Sequence, residues 1–130
     1  MSGIVHSALD GHLASIPDLP PVAWENALFE QPKDGSTYIR VAFMPATADM
    51  ASLGTQGTIH ERGIYQVGIS APVGMGSGEA EDLADRIMAH FRNKTIGTVR
   101  ALVPRRAQAM PDGSRLWLPV SIPYLVETFF

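Results

Sequence analysis

Three glycines, Gly74, Gly76 and Gly78, stand between an apolar run and an acidic stretch. Glycines at a strand-to-helix turn let the backbone approach a phosphate, and the first N–H groups of a helix bind anions. The spacing argues against that chemistry here. It is G-x-G-x-G, not the G-x-G-x-x-G of dinucleotide folds, and no Lys-Ser or Lys-Thr follows as in a P-loop. Glu79, Glu81 and Asp82 then open the helix. Their carboxylates already complement the helix dipole and repel a phosphate. The stretch reads as a flexible turn into a capped helix. Ser77 or Gly78 serves as N-cap, and with Gly78 as cap Glu81 falls at the third helical position.

Other reactive residue types are scattered. His60-Glu61 begins an H-E-x-x-H pattern, but Ile64 stands where the second histidine belongs. The segment also reads as a strand, where residues four apart do not converge on a metal. His6 and His12 are not spaced as helical metal ligands, and His90 lies at the rim of an apolar stripe; all four histidines read as surface or partly buried side chains. No G-x-S-x-G elbow surrounds any serine. Asp82 and Asp85 share a wet helical face and read as solvated charge. The sequence therefore predicts no catalytic residues, no cofactor and no metal.

The composition frames this reading. With 130 residues, 45% hydrophobic and 18% charged, the chain suits one domain over residues 1–130. No run of about 18 apolar residues predicts a membrane span. No signal peptide is evident at the N-terminus. Cysteine is absent, which excludes disulfides and fits a cytoplasmic product. A net charge of −3 does not suggest a nucleic-acid binder.

Periodicity outlines the elements. A first helix is predicted over residues 3–15, capped by Ser2, with Ile4, Val5, Ala8, Leu9, His12, Leu13 and Ile16 recurring on one side and Pro17 and the Pro20-Pro21 pair ending it. Val22–Phe29 is ambiguous between a short strand and a turn. Thr37–Met44 alternates: Ile39, Val41 and Phe43 face one way, Tyr38, Arg40 and Ala42 the other. A longer strand covers Thr58–Ala71, where Gly63 and Gly68 suggest a bulge or a close backbone contact. The second helix, Glu79–Arg92, carries one continuous stripe of Ala80, Leu83, Ala84, Ile87, Met88 and Phe91. Asp82 and Arg86 stand as an i, i+4 pair on its wet side. Thr98–Val103 and Ser114–Val126 read as two more strands, with Pro111-Asp112-Gly113 turning between them. Pro119 and Pro123 mark the last strand for an edge or a bulge, only partly paired. The predicted fold class is α+β: a single mixed or antiparallel sheet of about four to five strands with two helices on one face.

Several short motifs, in order, resemble one family. They are Ser52-Leu53-Gly54, the Arg62–Val67 run, Ala71-Pro72, the Gly74–Ala80 block, Leu83–Ile87 with Phe91, and the closing Val120–Tyr124. Together they resemble phage and prophage tail-terminator-like proteins over residues 37–127. The resemblance implies the same α+β architecture and a structural role without catalysis. Such proteins cap the head-proximal end of the tail tube, usually as a hexameric ring, and meet the head-completion protein. It implies these partners: further copies of the chain, the tail tube protein and the head connector, with DNA only passing through the lumen. The location implied is the virion tail or neck, after synthesis in the host cytoplasm. Another neck, head-closure or minor tail protein is the alternative, followed by a small ligand-binding domain using the 74–78 turn.

Two features suit assembly. Pro45–Gly57 reads as a long loop of small side chains, an arm that orders against a neighbour, with Met50 and Leu53 as contacts. Arg105 and Arg106 sit near a hairpin tip, where they can meet an acidic partner or DNA.

Overall fold

The computed structural model describes residues 2–25, 27–32, 35–50, 58–72 and 78–129, with the backbone alone at residues 2, 46–50, 58, 128 and 129. Helix α1 (Ser2–Ala14) is followed by strands β1 (Val22–Ala23), β2 (Tyr38–Met50) and β3 (Thr58–Pro72). Helix α2 (Gly78–Phe91) comes next. Five strands follow: β4 (Thr95–Ile96), β5 (Val99–Ala101), β6 (Arg105–Arg106), β7 (Met110–Asp112) and β8 (Arg115–Phe129).

The sheet runs β1-β2-β3-β8-β5-β4, with β6 and β7 also paired to β8. Eight strands replace the four to five expected. The extra ones, β1, β4, β6 and β7, are two or three residues long. Segments so short carry no periodicity and form only because a longer neighbour offers a ladder. The mixed character holds: β1 is parallel to β2 and every other pairing is antiparallel.

Three long antiparallel strands, β2, β3 and β8, form the body. Tyr65, Val67 and Ile69 of β3 and Leu118, Val120 and Ile122 of β8 point to one face and are buried. Both helices cover that face. Helix α1 contributes Val5, Leu9 and Leu13, while Ile4, expected on the same side, is 64% exposed because it lies off the line that Val5, Leu9 and Leu13 make at four-residue spacing. Helix α2 contributes Ala80, Leu83, Ala84, Ile87 and Phe91. The stripe predicted on α2 is thus the core, with Met88 packed at its rim. Asn93, at φ 51°, turns the chain out of α2 in the left-handed conformation that ends helices. Helix α1 is weaker by composition. Gly3 and Gly11 lower its propensity, so tertiary contacts must hold it. The buried Tyr65 hydroxyl donates to Asp10 Oδ1 at 2.5 Å. His6 stacks on Phe43 with ring centroids 4.7 Å apart. Burial, and then the hydrogen bond to Asp10, push the Tyr65 phenol far above its ordinary pKa, so it stays a donor.

The two prolines of β8 need a different account from the one the sequence suggested. The strand is internal, paired with β3 from Arg115 to Phe129. The Pro119 carbonyl accepts from the Ala107 N–H (3.1 Å) and the Pro123 carbonyl from the Leu102 N–H (2.8 Å). In a strand the N and C=O of one residue face the same side, so each missing N–H also points that way. That is the side on which the neighbouring chain is broken into β5, β6 and β7. Pairing is incomplete there and continuous toward β3.

The predicted loop at Pro45–Gly57 is also shorter than expected. Strand β2 continues to Met50, laddered to Ile59–Arg62 of β3, with a bulge between Pro45 and Thr47. Only residues 51–57 of that segment lie outside the described residues. Gly63 sits opposite the bulge. At Gly68 the close neighbour is a side chain and not a backbone: the ring of Trp117 lies over it.

The ends of α1 and α2 meet through two histidines. The rings of His12 and His90 stack 4.0 Å apart. His12 Nε2 donates to the His90 carbonyl at 2.7 Å, and His90 Nε2 donates to the His12 carbonyl at 2.8 Å. Burial, with the neighbouring His12 and Lys94 charges, lowers the His90 pKa from its ordinary 6.5. A lowered folded-state pKa favours the neutral ring. The resulting stability is present above about pH 6.5 and is lost as pH falls through the folded pKa. Acidification from about pH 8 to about pH 5 should therefore lower the melting midpoint, and His90→Gln should blunt that fall. A midpoint that rises on acidification would contradict this.

Candidate functional site

The face of the sheet away from the helices is covered at one end, where Phe29 packs on the buried Tyr38 and Arg115 holds the 35–36 segment beside the buried Ser70, and carries no helix elsewhere among the described residues. Alternation along three strands decides what it displays. Register lines the side chains up in rows across β2, β3 and β8. Met44, Ile64 and Pro123 form one row; Ala42, Gln66 and Ser121 form the next. Met44 is 41% exposed and Ile64 39%, high values for apolar side chains in the middle of a sheet. Further along, Arg40, Gly68 and Pro119 align. The Arg40 guanidinium lies 5.6 Å from the Trp117 ring, and Gly68 leaves room beneath that ring.

Arginines outnumber the carboxylates of this face, where Glu127 lies 3.9 Å from His60 and Asp112 stands opposite Arg115. Arg62 and Arg100 flank Leu125 in one row across β3, β8 and β5. Arg105 pairs with Ser121 and so projects on the same face. All three are exposed and without a side-chain partner among the described residues. Arg115 is different. Its guanidinium donates to Ser70, to the Gly35 carbonyl (3.0 Å) and to the Ser36 carbonyl (2.7 Å). It clasps the 35–36 turn to the sheet and is occupied.

On the helical side the start of α2 is acidic, although Arg86 and Arg106 also stand exposed there. Glu79, Asp82 and Asp85 of α2 are exposed. Asp18, Glu79 and Asp82 surround a hollow of about 430 Å³ with Pro20 and Leu83 beneath. Arg86 does not pair with Asp82 as its spacing suggested. It donates to the Pro17 carbonyl at 2.5 Å and ties α2 to the end of α1.

The structure separates the two arginines that the sequence set together. Arg105 projects from the open sheet face. Arg106 turns to the helical side, 3.9 Å from Asp85. An exposed pair of that kind contributes less than about 1 kcal/mol. Met50 ends β2 with its backbone opposite Ile59, while Leu53 and the glycine turn at 74–77 lie outside the described residues. Arg62, Arg100, Met44 and Ile64 were not singled out from the sequence. The available signal was period-two alternation, which already placed Arg40 opposite Ile39 and Val41. Only cross-strand register shows that four arginines share a face.

This geometry defines a two-layer α+β protein with one helix-covered sheet face and one face open to contact. The chain belongs to the phage tail terminator protein family, whose model matches residues 4–124. That family is structural and not enzymatic, and its place is the tail or neck of the virion. A solved structure that carries no functional name is similar over 97% of this chain and 95% of that one, with 29% identity and a TM-score of 0.68. No curated protein matches the chain significantly.

Proposed function

We propose that this protein caps the head-proximal end of a phage tail tube as a closed ring of its own copies and presents one ring surface to the head-completion protein. Membership of the tail terminator family across nearly the whole chain carries this reading. The open, arginine-bearing sheet face supports it, because such a face offers contact area without chemistry. Conformational strain and catalysis are not needed; the work is done by surface complementarity. DNA passes through the ring and is not the recognised partner.

Met50 and Leu53 are proposed contacts to a neighbour or to the tube, and Arg105 belongs to the surface available for contact. The expected result is a ring, hexameric, in negative-stain images of the concentrated protein, with tubes blunted at one end when the protein is added to them. A strict monomer that also leaves tube length unchanged would overturn the reading. Replacing Met50 and Leu53 together with Ala should change the unfolding free energy by no more than about 0.5 kcal/mol and impair capping. Unimpaired capping would remove those two residues from the contact.

A further inference from the structure

The open sheet face and the acidic flank of α2 are complementary in charge and belong to the same chain. We propose that copies of this protein associate head to tail, the arginine-bearing sheet face of one against the acidic helical flank of the next. The inference rests on the self-association proposed above and names the surfaces that make it.

Three observations converge. The sheet face holds Arg62, Arg100 and Arg105 with no side-chain partner among the described residues, beside Arg40 on the Trp117 ring. An unpaired guanidinium is a planar donor fork that suits carboxylates and aromatic faces. The arginines alternate with apolar side chains, Met44, Ile64 and Leu125, that lie at least partly open to solvent. Arg, Met and Trp among apolar neighbours are the residue types enriched in protein interfaces. A surface that tracks the phosphate backbone is lined by basic and polar donors, whereas here apolar Met44, Ile64 and Leu125 stand between the arginines, so a protein occupant is favoured over a nucleic acid.

The acceptor lies on the other layer. Glu79 and Asp82, with Asp18, rim the hollow beside α2, and Arg86 there is already bound to the Pro17 carbonyl. Arg86 lines this hollow too, and Glu79 Oε1 accepts from the Thr37 hydroxyl at 3.4 Å, but Asp18 and Asp82 have no ion-pair partner among the described residues and the floor, Pro20 and Leu83, is apolar. A guanidinium entering such a hollow meets opposite charge and an apolar surface for its stem. Two different patches that fit each other make a heterologous contact. Repeated, such a contact closes a ring when the rotation allows it. A two-fold dimer would place like charge on like charge at either patch.

Charge reversal tests this with two double variants. R62E/R100E makes the sheet face acidic. E79K/D82K makes the helical flank basic. Each alone should lose association by on the order of tenfold or more, and low salt should not rescue it. Mixed in equal amounts, the two should associate again, because each reversed face meets the other variant's reversed face. Thermal melts confirm folding of each. If E79K/D82K melts low, E79Q/D82N replaces it and should weaken association without restoring it in the mixture.

Association of both variants at the wild-type level would overturn the proposed contact and leave the ring reading standing on other surfaces. Loss without recovery when R62E/R100E and E79K/D82K are mixed would show that the two patches do not face each other, and with E79Q/D82N an association as strong as wild type would show it. If R62E/R100E associates normally but no longer retains duplex DNA that wild type binds, the sheet face serves nucleic acid and the proposal fails. A wild type that stays monomeric overturns the contact, while tube capping, measured separately, decides the terminator reading.

Discussion

Phe91→Ala should lower the unfolding free energy by about 3–5 kcal/mol, the range for truncating a fully buried aromatic. Phe91 is the last residue of α2 and is completely buried. Its ring meets Tyr65 of β3 at 6.0 Å and the edge of His12 of α1 at 4.8 Å. Both helices and the sheet therefore share one side chain at the place where the helices converge. Little can collapse into the space it leaves. The Tyr65 hydroxyl is held by Asp10, and His12 is locked to His90 by reciprocal bonds to main-chain carbonyls. The cavity term should consequently add fully to the lost transfer energy. Chemical denaturation measures it. A loss below about 0.5 kcal/mol would be typical of a surface position and would mean that this junction is not closed.

Gly63→Ala should cost more than Gly68→Ala, although the geometry at Gly68 looks the more crowded. A Cβ on Gly63 would lie 2.5 Å from the Tyr124 hydroxyl and 2.6 Å from the main-chain oxygen of Met44. The oxygen belongs to the β2–β3 ladder beside its bulge and cannot retreat without breaking pairing. Tyr124 is buried on the helical face and stacked on Phe43 at 5.5 Å. Overpacking of this kind costs about 1–3 kcal/mol. At Gly68 the three nearest obstacles are all atoms at the far end of the half-buried Trp117 ring, on the open face, and a side chain can rotate away where a backbone cannot. The smaller entropy of an unfolded chain with Ala offsets about 0.4–1 kcal/mol there. Gly68→Ala should thus be near neutral for stability. Paired melts of the two variants decide the matter, and a larger loss at Gly68 would show that Trp117 is fixed.

Much of this architecture was legible in local pattern. The stripe from Ala80 to Phe91 recurs with the helical period, so the buried face of α2 was readable without any tertiary contact. The alternation of Ile39, Val41 and Phe43 likewise marked the inner side of β2. The turn at Gly113 followed from glycine, which the position needs for its positive φ. Less was legible where the chain depends on neighbours. Residues 45–50 show no alternation and contain a proline, yet they ladder onto Ile59–Arg62 once a bulge absorbs the mismatch.

What the sequence by itself determined was which residues can be buried together along each element, because side-chain period is a property of one segment. It also carried the family, through ordered short motifs. Tertiary structure alone decided the strand number, the pairing of β8 on both sides, and the company each arginine keeps. Arg105 and Arg106 are adjacent in sequence and point to opposite layers. Arg62 and Arg100 are far apart in sequence and flank the same Leu125. The reason is that register between strands is set by long-range pairing, and a shift of one residue would send every such side chain to the other face.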